Sequence, residues 1–365
     1  MSIADGTVHT DDVGSGPVWG AQGADQPAIL EFVRAHLDPC GCGLLPGGDD
    51  LPGGENDPAL PSTETVRWAP GARDGVAALH VAAGVTDTDI GELIALIGGA
   101  INNQFSPAEY GELYDRLRAE RAVAIADELV GAVARSDLPP SGVAELGRRL
   151  AGTGHHAEAV KVGIALLGLT GTVEDRDLLL TLGRHEEFTL FCAAALRGSE
   201  AEPDRALWSL ARSVDGWGRI HAVKRLWRTG DEEIQDWIVR GGFRNKVMNE
   251  YLAYIAATTG RLLERLEADP DEELAGAAGE IISALIAGGP AQDIDDYPDA
   301  PQLLEDYLRL ISDRAPQPEY LAVVDDIRGF LEGGDRWPER YQRGWTAKQR
   351  AGLLVACEQI LSRQA

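Results

Sequence analysis

The chain is poor in several things that would have announced a function. Four cysteines in 365 residues, at Cys40, Cys42, Cys192 and Cys357, are too few and too unevenly placed for a disulfide framework, so reduced thiols are expected. Aromatic residues make up only 6%. No apolar run reaches the roughly 18 residues a membrane-crossing helix needs. The opening "MSIADGTVHTDDVGSG" has neither a basic stretch nor an apolar one, which speaks against a secretory leader and for a cytoplasmic protein without a membrane partner. Positive charge is also scarce: 33 Lys and Arg stand against 59 Asp and Glu, a net charge of −26. Such a field repels phosphate backbones, which argues against a nucleic-acid partner. A hydrophobic content of 44% nevertheless allows a substantial core.

What is present is helix. Residues 1–64 read as an acidic, Gly- and Pro-rich extension holding one helix, "AILEFVRAHL", whose Ile29, Phe32, Val33 and Leu37 form an apolar stripe. From residue 65 the pattern changes. Segments such as "DIGELIALIGGAI", "GVAELGRRLAG" and "AEAVKVGIALLGLTG" carry apolar residues three and four apart, with breakers such as "SDLPPSG" between them. Glycines recur at Gly171, Gly198, Gly230, Gly260 and Gly289, at intervals of 27 to 32 residues. Each interval holds two helices, the first opened by acidic residues and the second closed by a glycine expected in the left-handed conformation. The expected layout is a helical-repeat body over 65–290 and a C-terminal helical cap over 291–365.

This periodic pairing resembles the HEAT/armadillo-like class of α-helical repeat proteins, whose helix pairs stack into a curved solenoid. More narrowly, "RWAPGARDGV", "DGWGRIHAVKRL" and "GGFRNKVMNEYLAY" are similar to a family of bacterial helical-repeat proteins, some of whose members carry the label limonene hydroxylase. Hydroxylating a terpene takes haem, flavin or non-haem iron. The chain has no Gly-x-Gly-x-x-Gly, no haem-thiolate context and no two-His-one-carboxylate triad, so no cofactor is expected.

The stretch from Asp215 to Tyr254 combines three tryptophans with basic residues. A helix is expected to start near Asp215, with Ile220, Val223 and Trp227 on one face and His221, Lys224, Arg225 and Arg228 on another. Trp217, Arg219, His221, Arg225, Arg244, Asn245, Asn249 and Tyr251 are the candidate partner-binding residues. The alternative for the basic ones is salt bridging to acidic neighbours, and for Asn245 and Asn249 an inter-repeat ladder of amide hydrogen bonds. His36, Cys40 and Cys42 offer three zinc ligands but no fourth. His155, His156, His185, Glu186 and Glu187 fall at helix starts without a Glu-x-x-His or His-Glu-x-x-His order. No metal site and no catalytic group is expected. The functional expectation is therefore a non-catalytic binding or scaffolding protein for a protein or peptide partner. An enzyme, or an acidic inhibitor covering a basic partner, is the alternative.

Overall fold

The computed structural model describes residues 26–41, 43–52, 68–80, 88–199, 202–268 and 270–363. Cys42, Arg67 and most of the expected 1–64 extension lie outside the described residues. Among the described residues there are nineteen α-helices and no strand, so the protein is all-α. Two helices come first, α1 (Ile29–Ala35) and α2 (Ala72–His80). Then follow α3 (Ile90–Asn102), α4 (Pro107–Arg118), α5 (Ala122–Arg135), α6 (Pro140–Thr153), α7 (Ala157–Thr170), α8 (Arg176–Gly183) and α9 (Glu186–Ser199). After them come α10 (Pro203–Arg212), α11 (Trp217–Lys224), α12 (Glu232–Trp237), which runs into a π-helical turn at Ile238–Gly242, α13 (Glu250–Thr258) and α14 (Leu262–Glu267). The chain ends with α15 (Glu272–Ala287), α16 (Ala300–Ser312), α17 (Pro318–Glu332), α18 (Trp337–Gln342) and α19 (Ala347–Ser362).

Alternate helices pack on one another. α3 lies against α5, α5 against α7, α7 against α9, and the series continues through α11, α13, α15 and α17 to α19. The intervening helices cover this row from one side, α6 on α7, α8 on α9, α10 on α9 and α11, and α16 on α15 and α19. Sequence explains the difference between the two sets. In α7 the run "AEAVKVGIALLGLT" is apolar nearly all round, and Ala159, Val160, Val162, Ile164, Leu166 and Leu167 are all buried between α4, α5, α6 and α9. In α10, "PDRALWSLAR" buries only Ala206, Leu207, Leu210 and Ala211, one stripe of a helix with a solvent side. One continuous core of buried residues runs from Ile29 to Ile360.

Acidic residues do start helices as expected. Asp89, Asp231 and Asp271 accept backbone N–H bonds from the first turns of α3, α12 and α15. Several of these acids also reach backwards along the chain: Arg148 of α6 pairs with Asp175, Arg205 of α10 with Asp231 and Glu233, and Arg240 with Asp271 and Glu273. The periodic glycines behave differently from expectation. Of the five, only Gly289 has a positive φ. Gly171 leaves α7 in an extended conformation, and Gly198 lies inside α9. Gly198 and Gly260 mark close approaches between helices, whereas Gly230 has open space around it and Gly289 only ordinary contacts. A Cβ on Gly198 would lie 2.5 Å from the carbonyl oxygen of Gly168 on α7, and one on Gly260 would lie 2.8 Å from Val239 Cβ. The same constraint holds between α6 and α7, where a Cβ on Gly163 would sit 2.6 Å from Leu150 Cβ and 2.7 Å from the amide nitrogen of Ala151.

The N-terminal segments wrap this body. α1 packs on α6 and α8, anchored by the Ile29 N–H donating to the Gly154 carbonyl at 2.9 Å. Cys40 is disulfide-bonded, against the expectation of reduced thiols, whereas Cys192 and Cys357 are buried free thiols. α2 packs against α5, α9 and α11 of this row.

Gly163→Ala tests the close packing directly. Alanine is the better helix former by about 1 kcal/mol, but the added methyl has no room, so urea unfolding should show a net loss of about 1–3 kcal/mol.

Candidate functional site

The N-terminal ends of α5, α7 and α9 meet α2 at one cluster of charged groups. A hollow of about 230 Å³ opens there, lined among others by Trp68, Asp74, Arg121, His156, Lys161 and His185. At its base is a lysine that the apolar pattern of α7 would not place inside. Lys161 is 1% exposed, and its ammonium lies 2.7 Å from Asp74 Oδ2, 2.8 Å from Glu158 Oε1 and 2.5 Å from Glu187 Oε1. These three carboxylates come from α2, α7 and α9. The second oxygen of each is also used: Arg121 Nη2 stands 3.4 Å from Asp74 Oδ1, the Ala122 N–H donates to Glu158 Oε2 at 2.6 Å, and the Gly71 N–H donates to Glu187 Oε2 at 2.8 Å.

An isolated buried ammonium would cost several kcal/mol, and three carboxylates reverse that cost. Lys161 loses by burial and gains more from Glu187, Glu158 and Asp74, so its pKa rises and it stays protonated. Such a lysine is no nucleophile. Burial raises the pKa of Asp74 despite Lys161, while Lys161 helps hold that of Glu187 below its ordinary value against burial. The three carboxylate oxygens lie within 4.8 Å of one another, a spacing that could hold a metal ion. Lys161 Nζ already occupies the position among them that a cation would take.

His185 closes the hollow from behind. It is 1% exposed, donates from Nε2 to the Asp49 carbonyl at 3.3 Å and accepts the Glu187 N–H at Nδ1, so burial keeps it neutral and its pKa low. His156, at the start of α7, is likewise pushed down by burial and by Arg118. His156 of "GTGHHAE" and His185 of "GRHEEF" thus line one hollow with Lys161, whereas His155 bonds to the Pro27 carbonyl instead. No short motif carries Lys161. The one available signal was a lone charged residue inside "AVKVGIALLG", an all-apolar helix.

Glu186, next to this cluster, organises the candidate stretch. α11 begins at Gly216 and is not capped by Asp215; instead the Glu186 carboxylate accepts the N–H groups of Asp215, Gly216 and Gly218 at 3.0, 2.5 and 3.2 Å. Trp217 packs flat against α2, where a Cβ on Gly75 would lie 2.3 Å from its ring. Gly71, at φ +71°, makes the turn into α2 over the Glu186 carbonyl, 2.4 Å from where a Cβ would be. The far end of α2 is pinned by His80, whose Nε2 lies 2.6 Å from the Tyr251 hydroxyl, and Tyr251 in turn stacks 5.3 Å from Trp217. The "GARDGV" segment, the α11 helix and the α13 helix therefore form one junction.

The eight candidate residues divide within it. Trp217, His221 and Tyr251 are buried. Arg219 donates to the carbonyls of Ala211, Val214 and Arg244, and Arg244 forms a two-toothed pair with Glu280 of α15. Asn245 and Asn249 do not sit in a helix interior. They fold the 243–249 turn before α13, Asn245 accepting from the Val247 and Met248 N–H groups at 2.9 Å and Asn249 from the Asn245 N–H at 3.2 Å. Asparagine favours such turns over helix interiors, which is why the helix starts later than the apolar pattern implies. Among the described residues, Arg225 bonds along its own helix, to the His221 carbonyl at 3.0 Å. The expected cationic face is also broken up, since Arg228 stacks over Trp227, 3.9 Å from its ring centroid. No protein-family model, curated protein or solved structure matches the chain.

Two outcomes follow from the burial. Lys161→Met should cost about 3–5 kcal/mol in urea unfolding, because it leaves three carboxylates facing one another, and adding Asp74→Asn should restore part of the loss. His185 and His221 fold neutral, His221 with its pKa lowered to about 3 by burial and by Arg225 and Lys224. Below about pH 6.5 the unfolded chain binds protons that the folded chain refuses, so stability falls with pH by about 1.4 kcal/mol per unit for each such histidine. Comparing unfolding free energies at pH 7 and 5.5 checks this, and His221→Phe should remove one proton's share of the slope.

Proposed function

We propose that this chain is a non-catalytic binding or scaffolding protein, a HEAT/armadillo-like solenoid of stacked helical hairpins that offers the face of its second helices to a protein or peptide partner. One observation carries the reading: that face already holds a helical segment, α2, seated against α5, α9 and α11. The segment is held by side-chain-specific contacts, a carboxylate on a buried ammonium at Asp74, a bare Cα against Trp217 at Gly75 and an imidazole on a tyrosine hydroxyl at His80. A row of helices that grips a short helix of about two and a half turns by charge, shape and hydrogen bond has the recognition chemistry of helix-in-groove binding.

Catalysis at the Asp74 cluster is the second reading, favoured by a carboxyl with a raised pKa at the edge of a hollow. It lacks an activated nucleophile, since the lysine is locked as an ammonium by its three partners. The acidic surface also suits a basic partner, the third reading drawn from composition.

The groove reading is tested with a labelled peptide of residues 68–80. The full chain carrying Asp74→Asn, which loosens the native α2, should bind the peptide at least tenfold more tightly than the unaltered chain does. A peptide that binds neither protein would remove the support that α2 gives to the groove.

A further inference from the structure

We propose that Lys224, in the hollow walled by Tyr251 and Tyr254, together with Arg225, the next residue of the chain, forms a subsite that receives an acidic side chain of a peptide partner; the proposal rests on the partner-binding reading above. Many buried and half-buried cations among the described residues are matched by carboxylates, although Arg184 and Arg350 are not. Arg240 has Asp236, Asp271 and Glu273, Arg265 has Asp236, Arg314 has Glu272, Arg340 has Asp295, and Lys161 has three. At the end of α11 two consecutive cations lack such a match. Lys224, the last residue of the helix, and Arg225, its C-cap, are both half-buried, and among the described residues neither has a carboxylate within 4.0 Å.

A desolvated cation without a partner is a standing cost to the fold, removed when an anion arrives. Burial accordingly holds the Lys224 ammonium below its ordinary pKa with no opposing charge, and brings Arg225 down to about 10 against only a distant pull from Asp127. Both charges act on the same imidazole, His221, whose Nε2 is buried without a hydrogen-bond partner. Lys224 opens onto a hollow of about 400 Å³ walled by Tyr251, Tyr254, Ile255 and Gln292. Its ammonium lies 5.8 Å from the Tyr251 ring centroid. Asp296 also borders the hollow, but its carboxylate is engaged by the Asp293 N–H at 3.1 Å and lies 3.9 Å from Arg343.

The net charge of −26 does not forbid an acidic guest. Over about 8 Å at physiological ionic strength the distant charges are screened, and the two local cations decide. The acidic remainder of the surface adds register, because a carboxylate is welcome only where it finds an unmatched cation.

The probe is an acetylated, amidated hexaglutamate peptide, titrated calorimetrically into the full chain, with hexaglutamine and citrate as controls. Expected is salt-sensitive binding of hexaglutamate alone, weakened at least tenfold by Lys224→Gln and by Arg225→Gln and retained by Lys224→Arg. Because the wild-type cations are unmatched, neither Gln variant should lower the melting temperature. A melting temperature that falls by several degrees in both would assign them a structural role and overturn the proposal. So would hexaglutamate binding that is absent, that is equal in the Gln variants, or that citrate reproduces with the same affinity, which would mark a small-anion site. Failure here with success of the 68–80 peptide would sink the subsite and leave the groove standing.

Discussion

The contact on which this architecture turns is a single ammonium. Lys161 sits on the most enclosed helix, α7, and draws one carboxylate from its own helix, one from α9 and one from α2. Each of those carboxylates then holds a second group, the Arg121 guanidinium, the first N–H of α5 or the Gly71 N–H that leads into α2. Three helix ends and one incoming segment are thereby tied to a point. A buried ionic cluster is not in itself a source of stability, since well-packed apolar groups could fill the same volume as well or better. What it supplies is register. Only one placement of α2 over the row brings Asp74 to the ammonium and, one residue later, Gly75 beneath Trp217.

That register explains why the tryptophan-rich stretch looks like a site in the sequence. Trp217 and Tyr251 are conspicuous because they receive α2, one by stacking on a bare Cα and the other through the His80 imidazole. Glu186 and Glu187, adjacent on α9, divide the labour: one caps α11 and the other holds Lys161 and the turn before α2. The basic residues around them are mostly consumed by backbone carbonyls and neighbouring acids, as with Arg219 and Arg244. Lys224 and Arg225 differ because no acid of α9, α13 or α2 reaches them.

The close helix contacts come from the same sequence economy. Gly147, Gly163, Gly168 and Gly198 let α6, α7 and α9 approach until backbone meets backbone. Such proximity shortens the reach of side chains between helices, which helps Glu187 of α9 arrive at the ammonium on α7.

The all-helical class and the positions of several helices were readable from apolar spacing, because a helix that must bury one stripe writes that stripe into its sequence. "GVAELGRRLAG" and "AEAVKVGIALLGLTG" became α6 and α7 with little change. The glycine period was also visible, but its meaning was not. A left-handed cap and a close backbone approach both demand glycine, and only the neighbour in space tells them apart. The asparagines of "FRNKVMNEYLAY" were misplaced into a helix because apolar periodicity extends past the turn they build. The charged cluster lay beyond sequence reasoning for a stricter reason. Asp74, Glu158, Lys161 and Glu187 are spread over 114 residues and share no spacing rule. Apart from Lys161, a lone charge in an apolar run, each has an unremarkable local context, and what joins them is the packing of α2 on α5 and α9, which exists only once the chain is folded.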